Sequence, residues 1–312
     1  MNENRIKVLY IAGMSRSGST ILSKILGEID GFFNAGELID IWDRGLASDG
    51  KCGCGMKISK CEVWRAALDE AFGSQSQIDI QKMVDLRDSA CHAKYVPWLM
   101  LKPGAKSKLK ARLDVYLGNI GNLYQAIQSI TNSRIIIDSS KNIGYAHILT
   151  MIPMIDLYVV HLIRDPRATA YSWLRKKEGW WRKTPIDSSV LWNVRNIVTE
   201  IFRKKLAGNY IRLYYEDFIA KPRIAVKSIL ELVQENPVHL PFITEQDVEL
   251  GFNHTIFGNP NRLQRGIVKL RLDDEWKGMK KSDRFIVNIL SWPLLVLYGY
   301  AGITRPLRNI FR

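Results

Sequence analysis

Two glycines and a run of hydroxyl side chains lie close to the start of the chain, in the stretch GMSRSGST, residues 13–20. Gly13 and Gly18 have the spacing of a Walker A loop, and such glycines let backbone N–H groups turn towards an anion. Four hydroxyl side chains add donors: Ser15, Ser17, Ser19 and Thr20. Where a Walker A loop has lysine this chain has Ser19, and its cation is Arg16, three positions earlier. The stretch predicts a phosphate cradle with a displaced positive charge.

The elements around this cradle are predicted from short β-rich apolar runs that each lead into a helical pattern. The predicted strands are Lys7–Ala12, Arg134–Asp138, Leu157–Ile163 and Tyr210–Tyr215, with Gly31–Leu38 as a weaker fifth. The predicted helices are Ser19–Glu28, Asp165–Lys177, Ser188–Leu206, Ala220–Gln234 and Ser282–Tyr298. The alternation indicates an α/β fold, a P-loop NTPase-like parallel sheet flanked by helices. Ligands bind beyond the carboxyl ends of such strands.

One domain, residues 1–312, accounts for the whole chain, and 46% of its residues are hydrophobic. Residues 43–131 have an irregular, mainly helical pattern, which predicts an insertion that covers the acceptor site. The chain enters its first strand without the features of a signal peptide, and four cysteines do not make a disulfide framework. We therefore expect a cytoplasmic protein.

The formal net charge of +14 is compatible with nucleic acid, an anionic membrane surface or a polyanionic small ligand. Lysines and arginines are spread along the chain, without a basic tail or a basic-aromatic repeat. This distribution favours local anion sites over a nucleic-acid-binding surface, so no nucleic-acid partner is expected.

Three later stretches place polar residues where predicted strands end. HLIRDPRATAYS ends a strand at Arg164, begins a helix at Asp165 and Pro166, and has Ser172 eight residues after the arginine. LYYED places Tyr215 at the end of the next strand. A later loop, FGNPNRLQRG, offers further candidates: Arg262, Arg265 and Gly266.

With these stretches in this order, GMSRSGST resembles the phosphosulfate loop of sulfotransferases that use 3′-phosphoadenosine 5′-phosphosulfate (PAPS). That loop reads roughly basic residue-Ser-Gly-Thr-Thr, or Arg-Ser-Gly-Ser-Ser in the Golgi carbohydrate enzymes, and Arg16 stands at the basic position. The resemblance favours the bacterial and carbohydrate-type branch and runs from Val8 to about Tyr300, with 43–131 unmatched. Ile21 is a departure, because the cytosolic enzymes place an adenine-stacking tryptophan there.

The resemblance implies PAPS as the sulfuryl donor and in-line transfer to an acceptor hydroxyl, with a carbohydrate or glycolipid-like acceptor. The loop residues would hold the 5′ end of PAPS: Ser15, Arg16, Ser17, Gly18, Ser19 and Thr20. Arg164 and Ser172 would bind the 3′-phosphate, Arg265-Gly266 or Arg262 would close on it, and Tyr215 would lie near the adenine. A sulfuryl group carries about one negative charge less than a phosphoryl group, so no metal is expected in the reaction.

The predicted catalytic residues are Arg16, Glu37 and Lys141. Arg16 would stabilise charge on the bridging oxygen, and Lys141 would approach the sulfonate. The stretch IIIDSSKN lacks the histidine that cytosolic relatives use as general base, whereas other branches use a Glu in a Gly-Glu pair, which matches Glu37. Asp138 remains the competing base.

The cysteine-rich stretch KCGCGMKISKC contains Cys52, Cys54 and Cys61, and Cys91-His92 follow some thirty residues later. Three thiols with a distant Cys or His could bind zinc, but C-x-C…C is not the paired spacing of zinc ribbons. Structural packing or a labile disulfide is the favoured interpretation, and no metal site is predicted.

Two other functions stay open: a P-loop kinase or NTPase, with Asp138 as its Walker B carboxylate, and a basic nucleic-acid-binding protein. The apolar segment Phe285–Gly302 contains Pro293 and is predicted to be a packed, kinked helix. A peripheral membrane contact through this helix stays open, because RPLRNIFR follows it. The sequence leaves the acceptor and the oligomeric state undetermined.

Overall fold

The computed structural model describes residues 5–73, 78–91, 105–175 and 182–302. Within these residues, five parallel strands form one sheet in the order β2-β3-β1-β4-β5. Their bounds are Ile6–Gly13 (β1), Phe32–Gly36 (β2), Ile135–Lys141 (β3), Ile155–Ile163 (β4) and Tyr210–Tyr214 (β5). The parallel sheet confirms the predicted fold class, and all five predicted strands are present.

The sheet is flanked by helices on both faces, as a buried parallel sheet requires. The helices that carry the predicted elements are Ser19–Gly27 (α1), Pro166–Leu174 (α7), Pro185–Arg203 (α8), Pro222–Val233 (α10) and Lys281–Tyr298 (α11). Each lies within a few residues of its predicted bounds, except that residues 176 and 177 of the second predicted helix lie outside the described part of the chain. Two shorter helices, Ile143–Leu149 (α6) and Tyr215–Ala220 (α9), were not predicted.

Residues 43–131 are helical over much of their described length, and they pack on one face of the sheet. Their α-helices are Glu62–Phe72 (α2), Ile80–Ala90 (α3), Ala105–Arg112 (α4) and Asp114–Thr131 (α5). Trp64 and Tyr116 are fully buried in the same apolar cluster as Val8 and Val159 of the sheet. This region therefore contributes to the main hydrophobic core. Its description as an insertion remains a prediction from the sequence.

Two bulges interrupt the ladders at the carboxyl edge of the sheet. Between Tyr10 and Ala12 of β1 the partner strand β3 has an extra residue, so that Ala12 lies opposite Lys141. A second register shift lies between β2 and β3, next to Gly36. Bulges change the direction of side chains and are common beside active sites. Here they determine how Glu37 and Lys141 leave the sheet.

A small antiparallel pair, Asp247–Leu250 (β6) and Gly266–Lys269 (β7), covers part of the same edge. The predicted late loop around Arg265-Gly266 therefore contains a short strand, whose side chains are mostly exposed. The pair brings residues 257–273 over α1 and the carboxyl ends of the strands.

Helix α11 has two unlike faces. Val287, Leu295 and Tyr298 are buried, whereas one exposed stripe contains Phe285, Ile289, Trp292 and Val296. Helix α8 packs beside it, with Asn193 donating to the carbonyl of Leu290, and adds exposed apolar side chains: Ile186, Val190, Val194 and Ile197. Among the described helices, none has both the length and the apolar character that a membrane span needs.

Candidate active site

The loop between β1 and α1 is shaped by backbone conformations that favour glycine. Gly18 has φ 92° and Arg16 has φ 73°. A Cβ on Gly18 would lie 2.5 Å from Cδ2 of Tyr215, so the loop and the tyrosine ring pack in direct contact. The sequence-predicted cradle and Tyr215 therefore belong to one site.

Helix α1 begins at Ser19 with its positive end open to a ligand. Gly18 caps it without a side-chain hydrogen bond, and its first turn contains no acidic residue. The first N–H groups of a helix and its dipole favour an anion in this position. Ser19 and Thr20 line the cavity in front of this turn, whereas Ser17 is buried and its hydroxyl has no partner within the described part of the chain.

A cavity of about 570 Å³ opens at the carboxyl edge of the sheet. The predicted residues that line it are Ser15, Arg16, Gly18, Ser19, Thr20, Glu37, Lys141, Arg164, Ser172 and Tyr215. Eight basic side chains face it against three acidic ones: Arg16, Lys24, Arg44, Lys141, Arg164, Arg175, Lys269 and Arg271, against Glu37, Asp40 and Asp273. Such an excess of positive charge in a concave site favours a ligand with several negative charges.

Arg164 lies at the end of β4 and connects two walls of the cavity. Its Nη1 donates to the carbonyl oxygen of Arg16 at 2.8 Å, and its Nη2 lies 3.0 Å from Asp273 Oδ2. The guanidinium stacks 4.4 Å from the ring centre of Tyr215. Its Nε is buried and has no hydrogen-bond partner among the described residues.

Arg16 lies beside Trp173, with its guanidinium 4.9 Å from the ring centre. Burial and then neighbouring Arg175 lower the pKa of Arg16. A partly desolvated cation next to another cation gains from an anion brought between them. Trp173 and Arg175 were not predicted, although they lie one and three residues after Ser172 in the sequence.

Glu37 and Lys141 form an ion pair at the carboxyl ends of β2 and β3. Lys141 Nζ lies 2.6 Å from Glu37 Oε1 and donates to the carbonyl of Ser139 at 2.8 Å. Both side chains line the cavity. A carboxylate and an ammonium at this position can accept protons from, or donate protons to, groups that react in front of the phosphate cradle.

Asp138 has a different environment. It is fully buried and does not line the cavity, and it accepts hydrogen bonds from Tyr124 at 2.5 Å and from the Ser140 backbone at 2.8 Å. Burial raises the pKa of Asp138 to about 6. These contacts assign Asp138 to the support of strand β3, and Glu37 is the carboxylate of the two that faces the cavity.

Asp40, three residues after Glu37, also lines the cavity and was missed. Burial raises its pKa to about 7, with further contributions from Glu37 and Asp43, against the opposing effect of Arg44 and Arg87. The helical spacing from Glu37 in NAGELID was a signal for a second carboxylate on the same turn.

Three residues of the late loop do not line the cavity. Arg262 is buried and donates to the backbone carbonyls of Thr255 and Lys51. Arg265 donates to the carbonyl of Cys54 and stacks on Phe252. Gly266 is exposed at the start of β7. Their place in the wall is taken by Lys269 and Arg271, which lie further along the same strand and loop.

Two further residues that contact this wall of the cavity, Lys24 and Asp273, were not predicted from the sequence. Lys24 of α1 donates to the carbonyl of Gln264. Asp273 accepts from Arg175 at 2.5 Å and pairs with Arg164, and these partners lower its pKa. The side chains of Arg164 and Arg175 are therefore fixed by one carboxylate.

The family model described as "Sulfotransferase family" matches residues 9–236, which include the cradle, the Glu37–Lys141 pair, Arg164, Ser172 and Tyr215. The chain belongs to the sulfotransferase family. The late loop and its arginines lie beyond the matched residues. Family membership establishes a transferase that moves a sulfuryl group.

Solved structures of sulfotransferases resemble the chain in fold. The sulfotransferase domain from the curacin biosynthetic pathway is 18% identical, with a TM-score of 0.50, over 91% of this chain and 96% of that one. The sulfotransferase domain from the Synechococcus PCC 7002 olefin synthase is 20% identical, with a TM-score of 0.48, over 94% and 96%. No curated protein matches the chain in sequence. The curacin-pathway domain shows that the sheet and its helices follow the P-loop-like sulfotransferase fold.

Proposed function

We propose that this sulfotransferase takes its sulfuryl group from PAPS. The observation that carries the proposal is the position of Arg164, which lines the same cavity as the cradle and donates to the cradle backbone at the carbonyl of Arg16. A nucleotide with phosphates at both ends of its ribose meets both groups of donors at once. Tyr215 stacks on Arg164 and provides an aromatic wall for the purine.

The residues of the cavity divide the chemistry between them. PAPS supplies a sulfuryl group with about one negative charge less than a phosphoryl group, so side-chain cations can stabilise its transfer. Ser19, Thr20 and the start of α1 hold the 5′-phosphate. Arg16 stabilises the negative charge that forms on the bridging oxygen when the bond to sulfur breaks.

Glu37 accepts the proton of the acceptor hydroxyl while that oxygen forms its bond to sulfur. Lys141 pairs directly with Glu37 and lines the same cavity, so its ammonium is our candidate for contact with a sulfonate oxygen. The proton therefore ends on Glu37, and the negative charge on the leaving nucleotide ends beside Arg16. No other group is needed to balance the transfer.

The acceptor is proposed to be a hydroxyl of a carbohydrate or glycolipid-like molecule. The cavity wall near Glu37 combines an aromatic ring, Phe257, with two amides, Asn259 and Asn261. Arg44 stacks 4.2 Å above the ring of Phe257. Amides that bind hydroxyl groups and a ring that packs on a sugar face are suited to such an acceptor.

Calorimetric titration without magnesium tests the donor. We expect 3′-phosphoadenosine 5′-phosphate to bind, ADP and ATP to bind much more weakly, and Arg164→Ala to weaken binding by about 1.5–3 kcal/mol. Arg112→Ala is the matched control, since this arginine is exposed on α4 and does not line the cavity. A preference for Mg-ATP would support the kinase alternative. Indifference to nucleotides with steeply salt-dependent nucleic-acid binding would support a nucleic-acid-binding protein.

We also propose a peripheral contact between the exposed stripe of α11 and an anionic lipid surface. The stripe and the neighbouring apolar side chains of α8 form a continuous exposed apolar face. Lys280, Lys281 and Arg284 flank it at the start of α11, and the whole chain carries a net charge of +14. Basic residues beside an apolar helix face favour negatively charged lipid headgroups.

A further inference from the structure

Three cysteines and a histidine from distant parts of the chain meet beside the active-site cavity. The ligand atoms of Cys52, Cys54, Cys61 and His254 all lie within 4.8 Å of one another. His254 Nδ1 is 3.7 Å from Cys52 Sγ and 3.2 Å from Cys61 Sγ. All three thiols are free, so no disulfide accounts for their convergence.

These separations are those of a tetrahedral metal site. Zinc binds sulfur at about 2.3 Å and imidazole nitrogen at about 2.0–2.1 Å, so adjacent ligand atoms around it lie roughly 3.5–3.8 Å apart. The two distances from His254 Nδ1 to sulfur, 3.2 and 3.7 Å, lie on either side of the roughly 3.5 Å expected for a sulfur–nitrogen pair. Three thiolates with one imidazole match the Cys₃His set of structural zinc sites.

We propose that Cys52, Cys54, Cys61 and His254 bind one zinc ion. Four protein ligands complete a tetrahedron and leave no position for a substrate, so the ion is structural and takes no part in sulfuryl transfer. The thiols lose their protons when the metal binds, and His254 coordinates through Nδ1 as a neutral ring. This inference is independent of the proposed donor and acceptor.

The backbone around the four ligands is already arranged as a binding turn. Gly55 N–H donates to the Cys52 carbonyl at 2.9 Å, and Gly53 N–H donates to the Thr255 carbonyl at 2.9 Å. A Cβ on Gly53 would lie 1.8 Å from Asn253 Oδ1, so the two segments approach closely only with glycine here. Trp64 Nε1 donates to the His254 carbonyl at 2.5 Å. Hydrogen bonds to the carbonyls of His254 and Thr255 thus hold the histidine against the cysteine turn.

The metal would join residues 52–61 to His254, which lies nearly two hundred residues later and next to the cavity wall. Residues 52–61 belong to the region before β3, and His254 leads directly into the loop that supplies Phe257, Asn259 and Gln264 to the cavity. Arg262 and Arg265 fasten the same two segments through the carbonyls of Lys51 and Cys54. Zinc therefore stabilises the late loop over the cavity.

This site differs from the zinc site considered from the sequence, in which Cys91 or His92 was the candidate fourth ligand. Cys91 is buried elsewhere, with its backbone against Gly144, and His92 lies outside the described residues. His254 comes from a remote segment, and no spacing rule connects it with Cys61. The proposed metal site, with its distant fourth ligand, therefore departs from the expectation of packing or a labile disulfide.

Metal analysis of the full-length protein, purified without a histidine tag from zinc-supplemented cells, tests the site. We expect about one zinc per chain in the wild type and in Cys91→Ser, the matched control with a buried thiol outside the cluster. Cys61→Ser and His254→Ala should retain at least about fivefold less zinc. Cobalt-loaded wild type should show the visible absorption of a tetrahedral thiolate site, and Cys61→Ser should not.

A second measurement covers variants that fail to fold. Removal of zinc from the wild type by a chelator should lower Tm by at least about 5 °C, and added zinc should restore it. Wild-type protein with less than about a tenth of an equivalent of zinc, and a Tm unaffected by chelator and by added zinc, would overturn the proposal. A disulfide among Cys52, Cys54 and Cys61 in the purified protein, detected by mass spectrometry, would also overturn it.

Discussion

Lys141 Nζ lies 2.6 Å from Glu37 Oε1, and this pair joins the ends of two adjacent strands in front of the phosphate cradle. Glu37→Gln keeps the shape of the side chain but removes its basic oxygen. We expect kcat to fall by about 10²–10⁴-fold, because proton removal from the acceptor then lacks its base. The affinity for 3′-phosphoadenosine 5′-phosphate should stay within about threefold, since the nucleotide donors are unchanged.

Steady-state kinetics with a sulfated-product assay, combined with nucleotide titration, separates these effects. Glu231→Gln is the matched control, because it makes the same change on an exposed helix position away from the cavity. A Glu37→Gln enzyme with wild-type kcat would assign the proton transfer to another group.

Asp40 makes stability depend on pH in a predictable direction. Its pKa is about 7 in the folded protein, above the unfolded value near 4, so the folded state holds an extra proton between these values. Stability contributed by this group therefore falls as the pH rises from about 4 to 7, and the ionised form stays unfavourable above that range. Asp40→Asn should be more stable than the wild type at pH 8, by about 2–4 kcal/mol, and about equal to it at pH 4.

Urea unfolding of both proteins at several pH values measures this difference. Glu37, Asp43, Arg44 and Arg87 surround the carboxyl group and are unchanged in the variant. A stability difference that does not vary between pH 4 and 8 would show that Asp40 titrates normally.

Gly18→Ala should damage the cradle through two separate effects. The new methyl group would lie 2.5 Å from the ring of Tyr215, and the φ of 92° disfavours any residue with a Cβ. We expect a loss of about 1–3 kcal/mol in stability and at least about tenfold weaker nucleotide binding. Thermal melts and calorimetry of the variant check both values.

Gly118→Ala is the control for this change. Gly118 lies within helix Asp114–Thr131, and a Cβ there meets no atom within 4 Å. Alanine should stabilise this helix by up to about 1 kcal/mol and leave nucleotide binding unchanged. If both glycine variants bound nucleotide like the wild type, the close contact between Gly18 and Tyr215 would have no part in binding.

The exposed stripe of α11 should bind vesicles that contain anionic lipid. We expect co-sedimentation with phosphatidylserine-containing vesicles, little with pure phosphatidylcholine, and a marked loss in a Phe285→Glu/Trp292→Glu double variant. Val238→Glu, which changes an exposed apolar residue outside the stripe, is the control. If the double variant sedimented like the wild type, this face would have another partner.

The strand ends and the residues on them were predictable, because parallel strands bring their carboxyl ends to one edge whatever lies between them. This is why Arg16, Glu37, Lys141 and Arg164 line one cavity, while their roles stay predictions. Bounds of helices and strands were also close, since apolar runs and caps such as Asp165-Pro166 are local signals.

The late loop was harder to predict, because its register depends on partners far away in the chain. Arg262 and Arg265 look like ligand residues in sequence, but the cysteine turn offers them carbonyl oxygens. Lys269 and Arg271 reach the cavity instead, through a strand whose pairing partner, Asp247–Leu250, carries no strong strand pattern. His254 was missed for the same reason, because the cysteines that it contacts lie far away in the sequence.

The central position of β1 also affects how the chain can fold. Ile6–Gly13 is the first strand to be synthesised, yet its neighbours are Ile135–Lys141 and Ile155–Ile163, more than a hundred residues later. Pairings of such long sequence separation require loop closure before they gain contacts, and they slow folding. On the ribosome this apolar strand must wait for most of the sheet to emerge, so refolding in vitro should be slow and prone to aggregation.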